Sequence, residues 1–156
     1  NLGCTAIVHV MHMGVEYAKA LSPAQQSTAS FLAENGVALV VGHHPHVAQG
    51  IAVLGQTTVA YSLGNCVFGG NADPKDYDAL VLRASFHFTN GALERTGITV
   101  WPIRVSGKNS QNDYQPVLLS GENAQRGIDK MQTTSAFTLV PFVLGQGAQQ
   151  PEVAWR

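Results

Sequence analysis

Three of the six histidines in this 156-residue chain fall within four positions. His43, His44 and His46 come just after a short apolar run, residues 37–41, and His12 comes just after another, residues 6–11. Neutral imidazole is the commonest nitrogen ligand for zinc and also suits manganese, iron and nickel. In an extended segment residues two apart point the same way, so we expect His44 and His46 to turn both rings toward one point. The spacing predicts a divalent-metal site to which His12 adds a ligand.

The other histidines fit this prediction less well. Alternation along an extended segment turns His43 away from His44 and His46, which leaves it a supporting or surface role as readily as a ligand role. His9 lies in the middle of a predicted strand and His87 in a predicted hairpin. We expect both to be structural histidines satisfied by hydrogen bonds.

The elements that position these histidines form a strand, a helix and a strand. Residues 6–11 and 37–41 are short apolar runs typical of buried strands. Between them, Ser22, Pro23 and Gln25 form a helix start signal and Gly36 a stop. The predicted buried face of the helix is Ala24, Thr28, Phe31 and Leu32. Such a unit implies parallel strands, whose carboxyl ends are where ligand sites of open sheets lie.

The second half of the sequence favours antiparallel pairing. One short hairpin is predicted around Gly55 and Gln56 and a long one around Asn90 and Gly91. Residues 69–78 and 106–116 are predicted loops, residues 122–132 a modest helix, and residues 143–156 a loosely ordered tail. We therefore predict one α/β domain over residues 1–140, with mixed parallel and antiparallel strands, followed by a C-terminal tail over residues 141–156.

Composition excludes several classes of partner. Nine Lys and Arg balance ten Asp and Glu, the net charge is −1, and there is no basic run, which argues against binding to nucleic acid or to an anionic membrane surface. No apolar stretch is long enough for a transmembrane segment, and no signal peptide is visible. Cys4 and Cys66 are too few for a disulfide framework. Because a core strand opens the sequence, we expect a fragment whose flanking elements lie elsewhere.

Three ordered sequence blocks carry a family resemblance. They are HMGVEY (His12 to Tyr17), GHHPHVAQG (Gly42 to Gly50) and YSLGNCVFG (Tyr61 to Gly69). In this order and spacing they resemble the C-terminal half of the bacterial capsule-synthesis CapA family, also called poly-gamma-glutamate capsule biosynthesis proteins. That family belongs to the calcineurin-like metallophosphatase superfamily. The resemblance implies the C-terminal half of a four-layer α/β/β/α sandwich.

The resemblance also implies roles for particular residues. His12, His44 and His46 match the family's histidines and would be metal ligands for manganese, iron, zinc or a similar divalent ion. Glu16 matches the glutamate of the first block, where it would orient an imidazole or act as a general acid beside His12; a solvated glutamate at a helix start is the competing interpretation. Further matching polar positions would hold substrate oxygens or cap turns, and we favour turn and supporting roles for them: Gln49, Tyr61, Ser62 and Asn65, with His43 beside them.

Two departures from the family pattern concern apolar packing. Met13 replaces a tryptophan, and Cys66 replaces a phenylalanine. A larger departure is that the family's first half, with an aspartate and an Asn-His pair that complete a two-metal site, has no counterpart here. We therefore expect half an active site, completed by the N-terminal half as a separate polypeptide or by a second copy.

The resemblance implies a metal-dependent hydrolase in capsule or poly-gamma-glutamate biosynthesis, on the cell envelope or extracellular side of a bacterium. Two ions about 3.5–4 Å apart would activate a water toward a phosphoester or amide-type bond. The substrate would be an anionic polymer or a small molecule. A non-catalytic capsule-assembly or polymer-binding protein that has kept the fold is the alternative. A third hypothesis is one structural zinc held by the three histidines with Cys66 or Glu16 as fourth ligand.

Overall fold

A computed structural model describes residues 3–132, 135 and 154–155 of the chain. The described elements are, in order, β1 (Val8–His12), α1 (Pro23–Glu34), β2 (Leu39–His43), β3 (Ile51–Leu54), β4 (Thr57–Ala60), β5 (Asp78–Thr89), β6 (Ala92–Arg104), β7 (Val117–Leu118), α2 (Gly121–Gln132) and β8 (Ala154–Trp155). The chain is thus an α/β protein with parallel and antiparallel strands, as predicted.

The first sheet has the strand order β1-β2-β4-β3. β2 runs parallel to both β1 and β4, whereas β3 and β4 form the predicted antiparallel hairpin. His12 is paired with His43 in the register of β1 and β2. Because the two strands are parallel, this pairing places both histidines at the same carboxyl edge of the sheet, where the sequence predicted a site.

Helix α1 begins with the predicted cap. The Ser22 hydroxyl accepts from the backbone N–H of Gln25, and the Gln25 side chain accepts from the backbone N–H of Ser22. The predicted buried face is right in part. Leu32 packs against the core and Thr28 is half-buried, but Ala24 is exposed and Phe31 is 62% exposed, and Gln25 and Ala29 are buried instead. Gln25 is buried because its side-chain amide donates a hydrogen bond to Gln49 Oε1 at 2.7 Å. The spacing of apolar residues along the helix does not predict a buried polar contact of this kind.

The second sheet is built on the long predicted hairpin of β5 and β6. Its turn residues Asn90 and Gly91 both have positive φ, 51° and 79°, as a two-residue hairpin of this hand requires. β7 pairs with one end of β6 and β8 with Gly97 and Ile98 farther along it. The prediction of a loose tail is therefore wrong at Ala154–Trp155, which pairs as a strand; residues 136–153 and 156, and with them the predicted domain boundary at 140, lie outside the described residues.

Two apolar clusters hold the described elements together. One packs α1 against the first sheet through Ala29, Val40 and Val59. The other joins both sheets and α2, with Ile51, Leu80, Val100, Ile128 and Met131 among its members. The histidine edge of the first sheet is thus fixed from one side by α1 and from the other by the second sheet.

The outer strand β1 is poorly covered. Val8 and Val10 of this strand are 47% and 65% exposed, and Ile7 just before it is 49% exposed; among the described strands β1 has one neighbour, β2. An apolar edge strand of this kind is a template for pairing with another polypeptide. Within the described part of the chain, neither helix has the length and apolar character needed to span a membrane.

Candidate metal centre

The four predicted histidines at the sheet edge line one cavity. Its volume is about 280 Å³, and its wall is formed by His12, His43, His44 and His46 with residues 63–67 and Leu80. The cavity thus joins the carboxyl ends of β1 and β2 to the loop after β4. The structure brings together side chains from all three sequence blocks.

His12 and His44 approach each other most closely. His44 Nδ1 lies 3.1 Å from His12 Nε2, and the two ring centroids are 4.8 Å apart. Two nitrogens bound to one ion at 2.0–2.1 Å would be about 2.9 Å apart at right angles and about 3.3 Å apart in a tetrahedron. The observed separation falls between these values, so the distance between the two nitrogens is compatible with a shared divalent ion; without an ion, the same distance is that of an N–H···N hydrogen bond between the rings.

Glu16 belongs to the same cluster. One ligand atom from each of Glu16, His44 and His46 lies within 4.8 Å of the other two. Glu16 is exposed and the two histidines are half-buried, and Glu16 is not among the residues that line the cavity. His44 is the member shared with the close His12 pair, which makes it the centre of a four-residue donor set.

The backbone that presents His44 and His46 is not extended, contrary to the prediction. His44 has φ of 102° and His46 φ of 58°, so the segment bends at both residues. The bend is fixed at Pro45, whose carbonyl accepts from the Tyr17 N–H at 2.7 Å, and a Cβ on Gly14 would lie 2.9 Å from the Pro45 ring. The two imidazoles therefore line one cavity because the backbone adopts strained, positive φ angles at His44 and His46. Alternation along an extended strand is not the cause.

Asn65 positions the ring of His46. The Nδ1–H of His46 donates to Asn65 Oδ1 at 2.8 Å, and Asn65 Nδ2 donates back to the His46 carbonyl at 3.2 Å. Because Asn65 Oδ1 only accepts, this bond fixes the tautomer in which Nε2 of His46 carries the free lone pair. Such a partner is typical of imidazoles that bind metals.

His43 lies nearer the site than alternation predicts. It lines the cavity with the other three histidines, because the chain bends immediately after it. Burial, and to a smaller extent the neighbouring His12, lowers the pKa of His43 below its usual value. A neutral ring in this wall can accept or donate a hydrogen bond without adding charge to the site.

The other matched polar residues serve the scaffold. Gln49 is buried, accepts from Gln25 and donates to the Ala18 and Ala20 carbonyls, which ties the loop after β1 to α1. The Ser62 hydroxyl accepts from the Gly64 N–H at 3.3 Å. Tyr61 packs into the α1 cluster, and burial raises the pKa of its hydroxyl. None of these three lines the histidine cavity.

Two aromatic residues at the site were not singled out from the sequence. The rings of Tyr17 and Phe68 lie 6.0 and 5.0 Å, centroid to centroid, from that of His46. Both lie inside the matched blocks, HMGVEY and YSLGNCVFG, but the sequence analysis assigned neither of them a role.

The other ionisable side chains differ in whether they line the histidine cavity. Cys66 is exposed and lines the histidine cavity beside Asn65. His87 lies in the long hairpin with Nδ1 2.9 Å from a Glu94 oxygen, far along the chain from the site. Asp76 and Asp78 bind Lys130 and Arg126, and neither aspartate lines the histidine cavity.

Comparison with known proteins identifies the family of this segment. The model of the family described as bacterial capsule synthesis protein PGA_cap matches residues 3–70, which contain every histidine of the cavity. Capsule biosynthesis protein CapA of Bacillus anthracis is 46% identical over 57 residues. PGA biosynthesis protein CapA of Bacillus subtilis (strain 168) is 40% identical over 62 residues. Residues 3–70 are therefore similar to a segment of the capsule-synthesis CapA family, and the predicted resemblance is confirmed.

The matches cover part of each protein. They take in 36% and 40% of this chain, and the chain spans 14% and 16% of the length of the two relatives.

Proposed function

We propose that this chain supplies the histidine half of a divalent-metal centre in a hydrolase of capsule or poly-gamma-glutamate biosynthesis. The observation that carries the proposal is that His12, His44 and His46 line one cavity, with nitrogens of His12 and His44 3.1 Å apart and a Glu16 oxygen within 4.8 Å of ligand atoms of His44 and His46. The names of the two CapA relatives support the biosynthetic context and, through it, an association with the bacterial cell envelope.

Each residue has a distinct part in the proposal. His12, His44 and the Nε2 of His46 offer neutral nitrogen donors, a set that suits zinc, manganese or iron. Asn65 keeps His46 in the required tautomer. Glu16, with a carboxylate oxygen within 4.8 Å of ligand atoms of His44 and His46, would hold a proton or orient an imidazole. A bound divalent ion would supply Lewis acidity and an activated water toward a phosphoester or amide-type bond.

The proposal includes the larger fold of the family. The two sheets and two helices described here would form part of a four-layer α/β/β/α sandwich, with further ligands contributed by an N-terminal half or a second copy of the chain. The exposed edge of β1 next to the histidine cavity supports this arrangement, because an added strand would bring its own side chains to the same edge.

Titration with Mn²⁺ or Zn²⁺ tests the proposal. Isothermal titration calorimetry should show binding to the chain and a loss of at least tenfold in affinity in the double variant His44→Ala, His46→Ala. The matched control is the double variant His9→Ala, His87→Ala, which removes two imidazoles outside the cavity. Equal binding by both variants would show that metal uptake does not depend on the cavity.

A second candidate function is a capsule-assembly or polymer-binding protein without catalysis. The exposed apolar edge of β1 is the observation that favours it, since this surface suits a protein partner independently of any metal. Metal content separates the two candidates: a chain that binds no divalent ion at the cavity yet retains its partner through β1 would support the second.

A further inference from the structure

A second cleft lies beside the histidine cavity and has an excess of positive charge. Its volume is about 450 Å³, and the cations Lys19, Lys75, Arg104, Arg126 and Lys130 line it. Two acidic residues line the same cleft, Asp76 and Asp78. The walls therefore carry a net charge of +3, although the whole chain has a net charge of −1.

The two acidic residues are already paired. Lys130 Nζ lies 2.8 Å from Asp76 and also contacts Asp78, and Arg126 Nη2 lies 3.2 Å from Asp78. Burial alone would raise the pKa of Asp78, but the bonds from Lys130 and Arg126 hold it below its ordinary value. Arg126, Lys130 and the aspartates thus form a closed ion-pair network that anchors α2 to the start of β5.

The other three cations have no acidic partner among the described residues. Lys75 Nζ lies over the Tyr17 ring, 4.2 Å from its centroid. Arg104 stacks over Tyr77 at 4.7 Å, and its Nη1 donates to Asn109 Oδ1 at 2.7 Å. Lys19 is exposed at the rim. Like charges gathered on one concave wall repel one another unless an anion lies between them.

Tyr17 connects this cleft with the histidine cavity. Its ring centroid is 6.0 Å from that of His46 and 4.2 Å from Lys75 Nζ, so Lys75 Nζ lies within 10.2 Å of the His46 ring. An extended chain advances about 3.3–3.6 Å per residue, so this distance corresponds to about three residues. A ligand held at the histidines would reach the cleft with an acidic group up to about three residues along its chain.

We infer that the cleft is a subsite for an acidic group, carboxylate or phosphate, of a chain-like ligand that extends from the histidine cavity, with Lys19, Lys75 and Arg104 as its binding residues. The inference deepens the proposed function and rests on it for the identity of the neighbouring site. It assigns recognition to three residues that come from distant parts of the sequence and that the chemistry at the histidines does not involve.

Calorimetric titration with two anionic probes tests the inference. The probes are an end-blocked hexaglutamate peptide, which offers carboxylates, and tripolyphosphate, which offers phosphates; an end-blocked hexaglutamine peptide is the neutral control. The full 156-residue chain should bind one or both anions with an affinity that falls as salt is raised, and should not bind hexaglutamine. The probe that binds more tightly identifies the acidic group. Binding of neither anion would overturn the inference.

Variants locate the binding to the cleft. The triple variant Lys19→Gln, Lys75→Gln, Arg104→Gln should lose at least tenfold in affinity. A control triple, Arg83→Gln, Arg95→Gln, Lys108→Gln, makes the same change in net charge, from −1 to −4, outside the cleft and should stay within twofold. Because Arg104 packs on Tyr77, the double variant Lys19→Gln, Lys75→Gln provides a test with two exposed side chains. Equal losses in the two triples would contradict the assignment.

Failure of this inference is distinguishable from failure of the proposed function. The variant His44→Ala, His46→Ala leaves all three cations in place and should retain anion affinity within about threefold. A chain that binds no metal but binds anions through the three cations would refute the metal centre and leave the subsite standing. A chain that binds metal, but whose anion affinity does not change when the three cations are replaced, would refute the subsite and leave the metal centre standing.

Discussion

The Nδ1 atom of His46 lies 2.8 Å from Asn65 Oδ1, and the two residues come from different loops 19 positions apart. The bond leaves Nε2 as the free nitrogen of His46, which lines one cavity with His12 and His44. It links the second and third sequence blocks of the family segment, and it gives a physical reason for an asparagine at that position. A hydrogen-bond partner of this kind raises the basicity of the imidazole and fixes its orientation.

Replacement of Asn65 should therefore weaken metal binding while the fold persists. Asn65→Ala removes the acceptor and is expected to lower affinity for Mn²⁺ or Zn²⁺ by about 10–100-fold. Asn65→Asp keeps an acceptor at the same place and should recover most of the loss. Calorimetric titration measures both. Equal affinities for Asn65→Ala and the unmodified chain would remove Asn65 from the account of the site.

Replacement of Gln49 should have the opposite effect to replacement of Asn65: it should lower stability and leave metal binding nearly unchanged. Gln49→Met removes the buried bond with Gln25 and leaves the Ala18 and Ala20 carbonyls without their donor. The expected cost is about 2–3 kcal/mol of unfolding free energy, since buried polar groups lose their partners. Chemical denaturation measures this cost. Metal affinity of the folded variant should stay within about threefold of the original, and a much larger loss would place Gln49 in the site itself.

Gly42 is expected to be irreplaceable for steric reasons. A Cβ at this position would lie 1.9 Å from the Tyr61 carbonyl oxygen, so β2 and the end of β4 would have to separate. Gly42→Ala should lower the free energy of unfolding by roughly 3 kcal/mol. Gly70→Ala is the control, because nothing lies within 4 Å of its added Cβ. Similar stabilities of the two variants in denaturant would contradict the close approach of these strands.

The ion pairs of Asp78 predict acid sensitivity. The folded-state pKa of Asp78 is lowered, because hydrogen bonds from Lys130 and Arg126 outweigh the effect of its burial. A carboxyl group whose pKa is lowered by folding stabilises the folded state at pH values above its pKa in the unfolded chain, about 3.9. This stabilisation is lost as the pH falls through its pKa in the folded state. Thermal unfolding from pH 7 to pH 3 should therefore show a steeper fall in Tm for the unmodified chain than for Asp78→Asn.

Asp78→Asn should also be less stable at pH 7, by roughly 2 kcal/mol, because two charged hydrogen bonds are weakened there. The difference between the variant and the unmodified chain should shrink on acidification. Parallel Tm curves at all pH values would show that Asp78 does not contribute through its charge.

The exposed β1 edge predicts self-association of the chain. Val10 is 65% exposed in the outer strand, and a second polypeptide pairing there would cover it. Light scattering should show a rise in average mass with concentration, and Val10→Lys should suppress it because charge on an edge strand opposes pairing. Val15→Lys, at an exposed valine outside both the strands and the wall of the histidine cavity, is the matched control. A monomer at every concentration would contradict the prediction.

Much of the fold was predictable because it follows from local rules. The capping signal at Ser22 and the turns at Gly55 and Asn90 each depend on residues within a few positions, and each is present in the structure. The buried face of α1 was not predictable in this way. It depends on Gln25 finding Gln49, a partner 24 residues away.

The candidate site was predictable in membership but not in geometry. His12, His44 and His46 meet as expected, yet the reason lies in the bent backbone at His44 and His46 and not in an extended segment. The basic cleft could not be predicted from the sequence, because its cations are spread from Lys19 to Lys130 and form no basic run. Only the folded chain brings their charges to one wall.

Anomalous diffraction from crystals soaked with Mn²⁺ or Zn²⁺ shows directly whether the histidine cavity holds a metal ion. We predict an anomalous peak in the cavity at about 2.0–2.2 Å from nitrogens of His12 and His44, with His46 Nε2 or a Glu16 oxygen as a further ligand or facing an adjacent peak. The peak should be absent in His44→Ala, His46→Ala crystals grown and soaked in the same way. A fully soaked crystal with no peak in this cavity, or with peaks only elsewhere, would contradict the assignment of a metal centre.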